Sequence, residues 1–104
     1  MFGFLKKLMG MPNDEVLQQY KEKGAVIIDV RTPAEYKGGH PKKAQNIPLQ
    51  NIQREADKIK KMNKPIILCC ASGARSGQAT SILKGKGIDA VNAGAWQNVA
   101  NLMA

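Results

Sequence analysis

Lys64-Pro-Ile-Ile-Leu-Cys-Cys70, followed by Ala71-Ser-Gly-Ala-Arg-Ser76, is the stretch on which the fold turns. Its first half is a short apolar run opened by Pro65 and suits a buried parallel strand. Its second half begins with four small residues, Ala71, Ser72, Gly73 and Ala74. Arg75 and Ser76 follow, and a helix is expected from Ser76 to Lys84, stopped by Gly85 and Gly87. A cysteine between a strand and a helix faces backbone N–H groups and the positive end of the helix dipole, which stabilise negative charge on sulfur. The thiolate is the nucleophilic form of cysteine, so Cys70 is a candidate nucleophile. Gly73 and its small neighbours let the backbone curl tightly and are expected to leave the mouth open. Arg75 adds a fixed positive charge, directed either to a substrate or to a carboxylate that holds the loop. The plainer alternative is a buried, inert cysteine followed by an ordinary turn.

Outward from this stretch, helices and strands alternate. Asn13 before Asp14 and Glu15 reads as a helix start, and Gly24 as its stop. Ala25-Val-Ile-Ile-Asp-Val30 is a second buried strand, Ala44 to Pro48 a short one, Leu49 to Met62 a charged helix, Ile88 to Val91 a last strand and Trp96 to Met103 a closing helix. Strands separated by helices pair in parallel, which gives an α/β fold. Such sheets bind ligands at the carboxyl ends of their strands, where Asp29, Arg31 and Cys70 all fall. By strand alternation Cys69 points away from Cys70, as core filler.

With 104 residues the chain is expected to form a single domain over 1–104, with a short N-terminal segment at 1–11 that can form a helix. Its 16 basic and 8 acidic residues leave a charge of +8, a field that favours a small anionic substrate or an acidic protein partner. Two Phe, two Tyr and one Trp are too few for a base-stacking platform, so nucleic acid is not an expected partner. Adjacent cysteines exclude a disulfide framework and fit a reducing, cytoplasmic setting. With one histidine, His40, and no CxxC spacing, no metal is expected. Phe2, Phe4, Leu5, Leu8 and Met9 can share one face of a short helix, but no run is long enough to span a bilayer, and membrane contact by residues 1–9 is not expected.

Asp29-Val-Arg31 with Glu35-Tyr36, then Gly39-His40, Asn46-Ile-Pro48, the Cys70 loop and Gly94-Ala-Trp96 resemble the rhodanese family in order and spacing, over residues 25–96. The resemblance implies a central parallel sheet of about four or five strands with helices on both faces. It implies transfer of sulfane sulfur from a donor such as thiosulfate to a thiol or cyanide acceptor, without a cofactor. Cys70 resembles the persulfide-forming cysteine, and Ala71, Ser72, Gly73, Ala74, Arg75 and Ser76 its loop. Asp29, Arg31 and Glu35 take supporting places. Asp29 is expected either to pair with Arg75 or to cap the turn at Thr32 to Tyr36. Glu35 either accepts bonds from the loop backbone or is a solvated charge. His40 reads as scaffold, and Trp96 as a core anchor or pocket wall.

Three departures stand out: Pro41-Lys42-Lys43 after Gly39-His40, Cys69 where the family often has a large residue, and Ala71 where it often has a charged one. Two rivals remain open. A cysteine phosphatase or arsenate reductase also runs from a cysteine loop to an arginine, but with five residues between them where this chain has the four from Ala71 to Ala74. A non-catalytic sulfur relay or protein-interaction module would keep the same fold.

Overall fold

A computed structural model describes residues 14–104. Its elements alternate as α1 (Asp14–Glu22), β1 (Val26–Asp29), α2 (Pro33–Lys37), β2 (Gln45–Asn46), α3 (Leu49–Lys61), β3 (Ile66–Cys70), α4 (Ala74–Gly85), β4 (Ala90–Ala95) and α5 (Trp96–Leu102). The four strands form one parallel sheet in the order β2-β1-β3-β4. The chain leaves β1 for β2 on one side and returns to β3 on the other. At such a reversal the crevice beyond the strand ends is left uncovered by the connections. Asp29 and Cys70 end the two strands that flank it.

Side chains alternate across a strand, and the two faces of the sheet bury two separate cores. Ile66, Leu68 and Cys70 join Ile28 and Val30 against Ile52, Ala56 and Ile59 of α3 and Ala79 and Leu83 of α4. Ile67 and Cys69 join Ile27 against Leu17 of α1 and Val99 of α5. Helices thus cover both faces, as the motifs imply. Fully buried Ile52, Leu68 and Leu83 each contribute about 1.5–3 kcal/mol of transfer free energy. Cys69 and Cys70 are free thiols on opposite faces.

The boundaries depart from the sequence expectation in instructive places. β4 does not stop at Val91 but runs to Ala95. Leu68 faces Asn92 while Cys70 faces Ala95, so β4 carries an extra residue, and Gly94 supplies the bend with φ +81°. Residues that read as strand breakers are the bulge itself. α4 begins at Ala74, because Gly73 already turns the chain with φ +109°. The expected strand from Ala44 to Pro48 narrows to Gln45–Asn46, as Pro48 opens α3. The turn at Thr32 to Tyr36 is a short helix whose cap is Thr32, with Glu35 closing a capping box. Asn13 and the segment 1–11 lie outside the described residues.

The uncovered end of β1 is held by charge. Asp29, fully buried, accepts from Arg31 through Nε at 2.9 Å and Nη2 at 2.6 Å, and from the Arg31 backbone amide at 3.0 Å. The Arg31 guanidinium also donates to the Gly39 carbonyl and lies 4.9 Å from the centre of the Trp96 ring. Gly39 is required here, because a Cβ on it would stand 3.1 Å from that ring. Asn46 donates to the carbonyls of both Asp29 and Arg31. Removing one partner of a buried pair strands the other charge, so Asp29→Ala should cost about 3–5 kcal/mol in urea unfolding. A loss below ~1 kcal/mol, the size of an exposed pair, would mean that Arg31 finds solvent once Asp29 is gone.

Candidate active site

β3 delivers Cys70 to the top of the sheet, and the next six residues fold back over it. The Gly73 amide lies 3.0 Å from Cys70 Sγ, the Ser76 amide 3.4 Å and the Ser76 hydroxyl 3.3 Å. Gly73 takes a left-handed backbone (φ +109°), and that turn starts α4 at once and carries the Ser76 amide and hydroxyl back to the sulfur. Burial opposes ionisation most strongly. The Ser76 hydroxyl, the Ser76 and Gly73 amides and Ser72 outweigh it together, and the Cys70 thiol is held below its ordinary value. Cys69, one residue earlier, has no such donors. Burial, and secondarily the Asp29 carboxylate, push its thiol well up.

One expectation of the sequence needs correction. The small loop residues do not leave an open mouth: Cys70 has 0% relative exposure and belongs to the core beneath α3 and α4. The reason is the tight curl itself. Donors that must come within about 3 Å of a sulfur necessarily close around it. The lid is thin, since Ala71, Ser72 and Ala74 are exposed directly above.

The carboxylate partners also differ. Asp29 neither pairs with Arg75 nor caps the next helix. It stands opposite Cys69 in the register, and so on the other face of the sheet from Cys70. Asp29 and Arg31 therefore share the strand-end edge with Cys70 without joining its cradle. Arg75 instead forms a two-point pair with Glu35, Nη1 to Oε1 at 2.7 Å and Nη2 to Oε2 at 3.0 Å. This pair ties the Cys70 loop to α2. Glu35 thus holds the loop through the Arg75 side chain and not through its backbone. Arg75 foremost, and then the Thr32 amide, hold the Glu35 carboxyl down at about 2. His40 stacks on Tyr36 at 3.7 Å, with Nδ1 2.8 Å from the Tyr36 carbonyl, as a scaffold residue.

Asn92 escaped the sequence reading. From the β4 bulge, its Nδ2 donates to the Gly73 carbonyl at 3.0 Å. Its Oδ1 receives the Ser76 hydroxyl at 2.6 Å and the Gly94 amide at 2.9 Å. The available signal was Gly77, a glycine in the first turn of a helix, where it costs about 1 kcal/mol against alanine. A Cβ there would meet Asn92 Nδ2 at 3.2 Å.

A family model of the rhodanese-like domain matches residues 12–103. The chain belongs to the rhodanese-like family. It is 39% identical over 75 residues to thiosulfate sulfurtransferase PspE of Escherichia coli (strain K12), over 70% of this chain and 72% of that one. Against YqhL of Bacillus subtilis (strain 168) identity is 41% over 63 residues, 61% of this chain and 49% of that one, so the rhodanese-like chain spans about half the length of that relative. Among solved structures, a rhodanese with anions from E. coli superposes with a TM-score of 0.66 at 35% identity, covering 73% of this chain and 92% of that one. A rhodanese-related protein from Thermoplasma volcanium gives a TM-score of 0.70 at 29% identity, covering 88% and 90%. These relatives place the domain in a sulfurtransferase family.

The Glu35–Arg75 pair has a pH signature. The folded-state value of Glu35 is lowered from 4.5 to about 2, so its contribution to stability is complete above the ordinary carboxylate value and is lost as pH falls toward 2. The stability gap between the native protein and Glu35→Gln should therefore be constant at neutral pH and close through that acid window in denaturant titrations. A gap of unchanged size at the acid end would mean that the charge on Glu35 is not what holds Arg75.

Proposed function

We propose that this rhodanese-like domain is a sulfurtransferase in which Cys70 carries the sulfane sulfur as a persulfide. The observation that carries the reading is the convergence of two amides and a hydroxyl on Cys70 Sγ, which favours a thiolate without a histidine base. The thiolate attacks the outer sulfur of a donor such as thiosulfate. A Cys70 S–S bond forms, the donor's S–S bond breaks, and sulfite leaves with the electron pair. An acceptor thiolate or cyanide then takes the outer sulfur and restores the Cys70 thiolate. Because two displacements share one nucleophile, ping-pong kinetics are expected. Thiosulfate as donor draws its support from the name of the PspE relative.

A phosphatase reading fares worse. It needs its arginine turned into the cradle to meet phosphate oxygens, whereas Arg75 turns its two terminal nitrogens to Glu35. One observation favours a relay over free turnover: with Cys70 sealed, a small donor must wait for the loop to part, while a docking partner can part it. Slow turnover of thiosulfate beside rapid sulfur transfer to a partner protein would mark the relay.

The test is intact mass spectrometry after treatment with thiosulfate. The protein should gain one sulfur, lose it to dithiothreitol, and gain none as Cys70→Ser. Cys69→Ser should keep most of the gain, since that thiol lies on the opposite face of the sheet. Loss in Cys69→Ser with retention in Cys70→Ser would reverse the assignment.

A further inference from the structure

The Ser76 hydroxyl has one hydrogen and two claimants. Asn92 Oδ1 stands 2.6 Å from it and Cys70 Sγ 3.3 Å. The orientation of the Asn92 amide is fixed by the backbone and not by choice. The Gly94 amide can only donate, so it faces Oδ1, and the Gly73 carbonyl can only accept, so it faces Nδ2. The atom presented to Ser76 is therefore an acceptor, and it competes directly with the sulfur.

We propose that Asn92 is a positioning residue for Cys70, holding the Ser76 hydroxyl hydrogen while the sulfur is a thiol and yielding it when the sulfur is charged. In the neutral state Cys70 S–H donates to Ser76 Oγ, and Ser76 O–H donates to Asn92 Oδ1. When the Cys70 proton passes to solvent, the hydroxyl rotates and donates to the sulfur. Asn92 Oδ1 is not orphaned by the rotation, because it keeps the Gly94 amide. The second arm of Asn92 fixes the Gly73 carbonyl, and with it the peptide geometry around the Gly73 amide that also meets the sulfur. The site is built for this residue: α4 carries Gly77 where any side chain would press on Asn92 Nδ2 at 3.2 Å. Ser76 cannot drift away either, since it is fully buried and its carbonyl receives the Thr80 hydroxyl at 2.7 Å.

The inference rests on Cys70 being the reacting thiol, but its test needs no sulfur donor. Thiolate absorbance in the ultraviolet is titrated in the full chain with Cys69→Ala, so that one thiol reports. The cycle compares Asn92→Ala in two backgrounds, one keeping Ser76 and one carrying Ser76→Ala. Loss of the Gly73 tie is common to both backgrounds and cancels. Freed of its competitor, the hydroxyl should favour the thiolate by about tenfold in the ionisation constant where Ser76 is kept, relative to the Ser76→Ala background, the scale of one hydrogen bond to a charge. Asn92→Asp, nearly isosteric, carries the same cycle with the opposite sign, since a carboxylate grips the hydroxyl harder; it serves where the alanine variant does not fold. Ionisation constants that shift equally in both backgrounds would overturn the role of Asn92. If that happens in protein that still acquires sulfur, only this inference falls. A coupled cycle in protein that acquires none leaves it standing and removes the sulfur chemistry instead.

Discussion

Three donors meeting one buried sulfur set the terms for the rest of the structure. Burial alone drives a thiol toward neutrality, as it does at Cys69. At Cys70 the same low-dielectric setting strengthens each hydrogen bond to the charged form, and the donors prevail over the penalty. The parallel sheet brings the sulfur to an uncovered edge. α4 supplies the dipole and the Ser76 amide. The Gly73 amide lies 3.0 Å from the sulfur, and the left-handed turn at the same residue starts α4 close enough for Ser76 to reach it. None of these can be displaced far without losing the balance, because the contacts run from 3.0 to 3.4 Å and weaken steeply beyond that.

Two carboxylate–arginine pairs frame this centre and divide the work. Asp29–Arg31 is buried, faces the core away from Cys70 and organises the end of β1 with Gly39, Asn46 and Trp96. Glu35–Arg75 is about one-third exposed and joins the Cys70 loop to α2. The first pair is costly to break, because a charge would remain in the interior. The second is softer, screened by solvent, and suits a segment that must part to admit a donor under the proposed chemistry.

Much of this was legible in the sequence, and the limits have physical causes. Period-two alternation through Ile66 to Cys70 placed the two thiols on opposite faces, and the small residues before Arg75 marked the loop. Partner choice was not legible. Asp29 and Arg75 share an edge, but which face a strand-end residue takes depends on its parity in the register, and Asp29 aligns with Cys69. Glu35 reaches Arg75 across 40 residues of chain, a distance that no local pattern encodes. Asn92 was hidden because it looked like the end of a strand. Only the Gly94 bulge keeps β4 paired past it and turns a breaker into a half-buried partner of the loop.

The closed mouth is the least expected feature and follows from the same geometry. A cradle loose enough to show its sulfur to solvent would also let water replace its donors, and each would then count for less. Cradle tightness and access therefore oppose each other, and the chain settles on tightness. The residues over Cys70 are small and exposed, so the layer to be moved is thin and buries little apolar surface of its own. Opening then requires displacing a short span between Cys70 and Arg75, while the donors on Ser76 stay anchored in α4 by Thr80 and Asn92. A sulfur uncovered in that way would still hold a donor amide, and that donor would go on favouring its charged form as the substrate arrives.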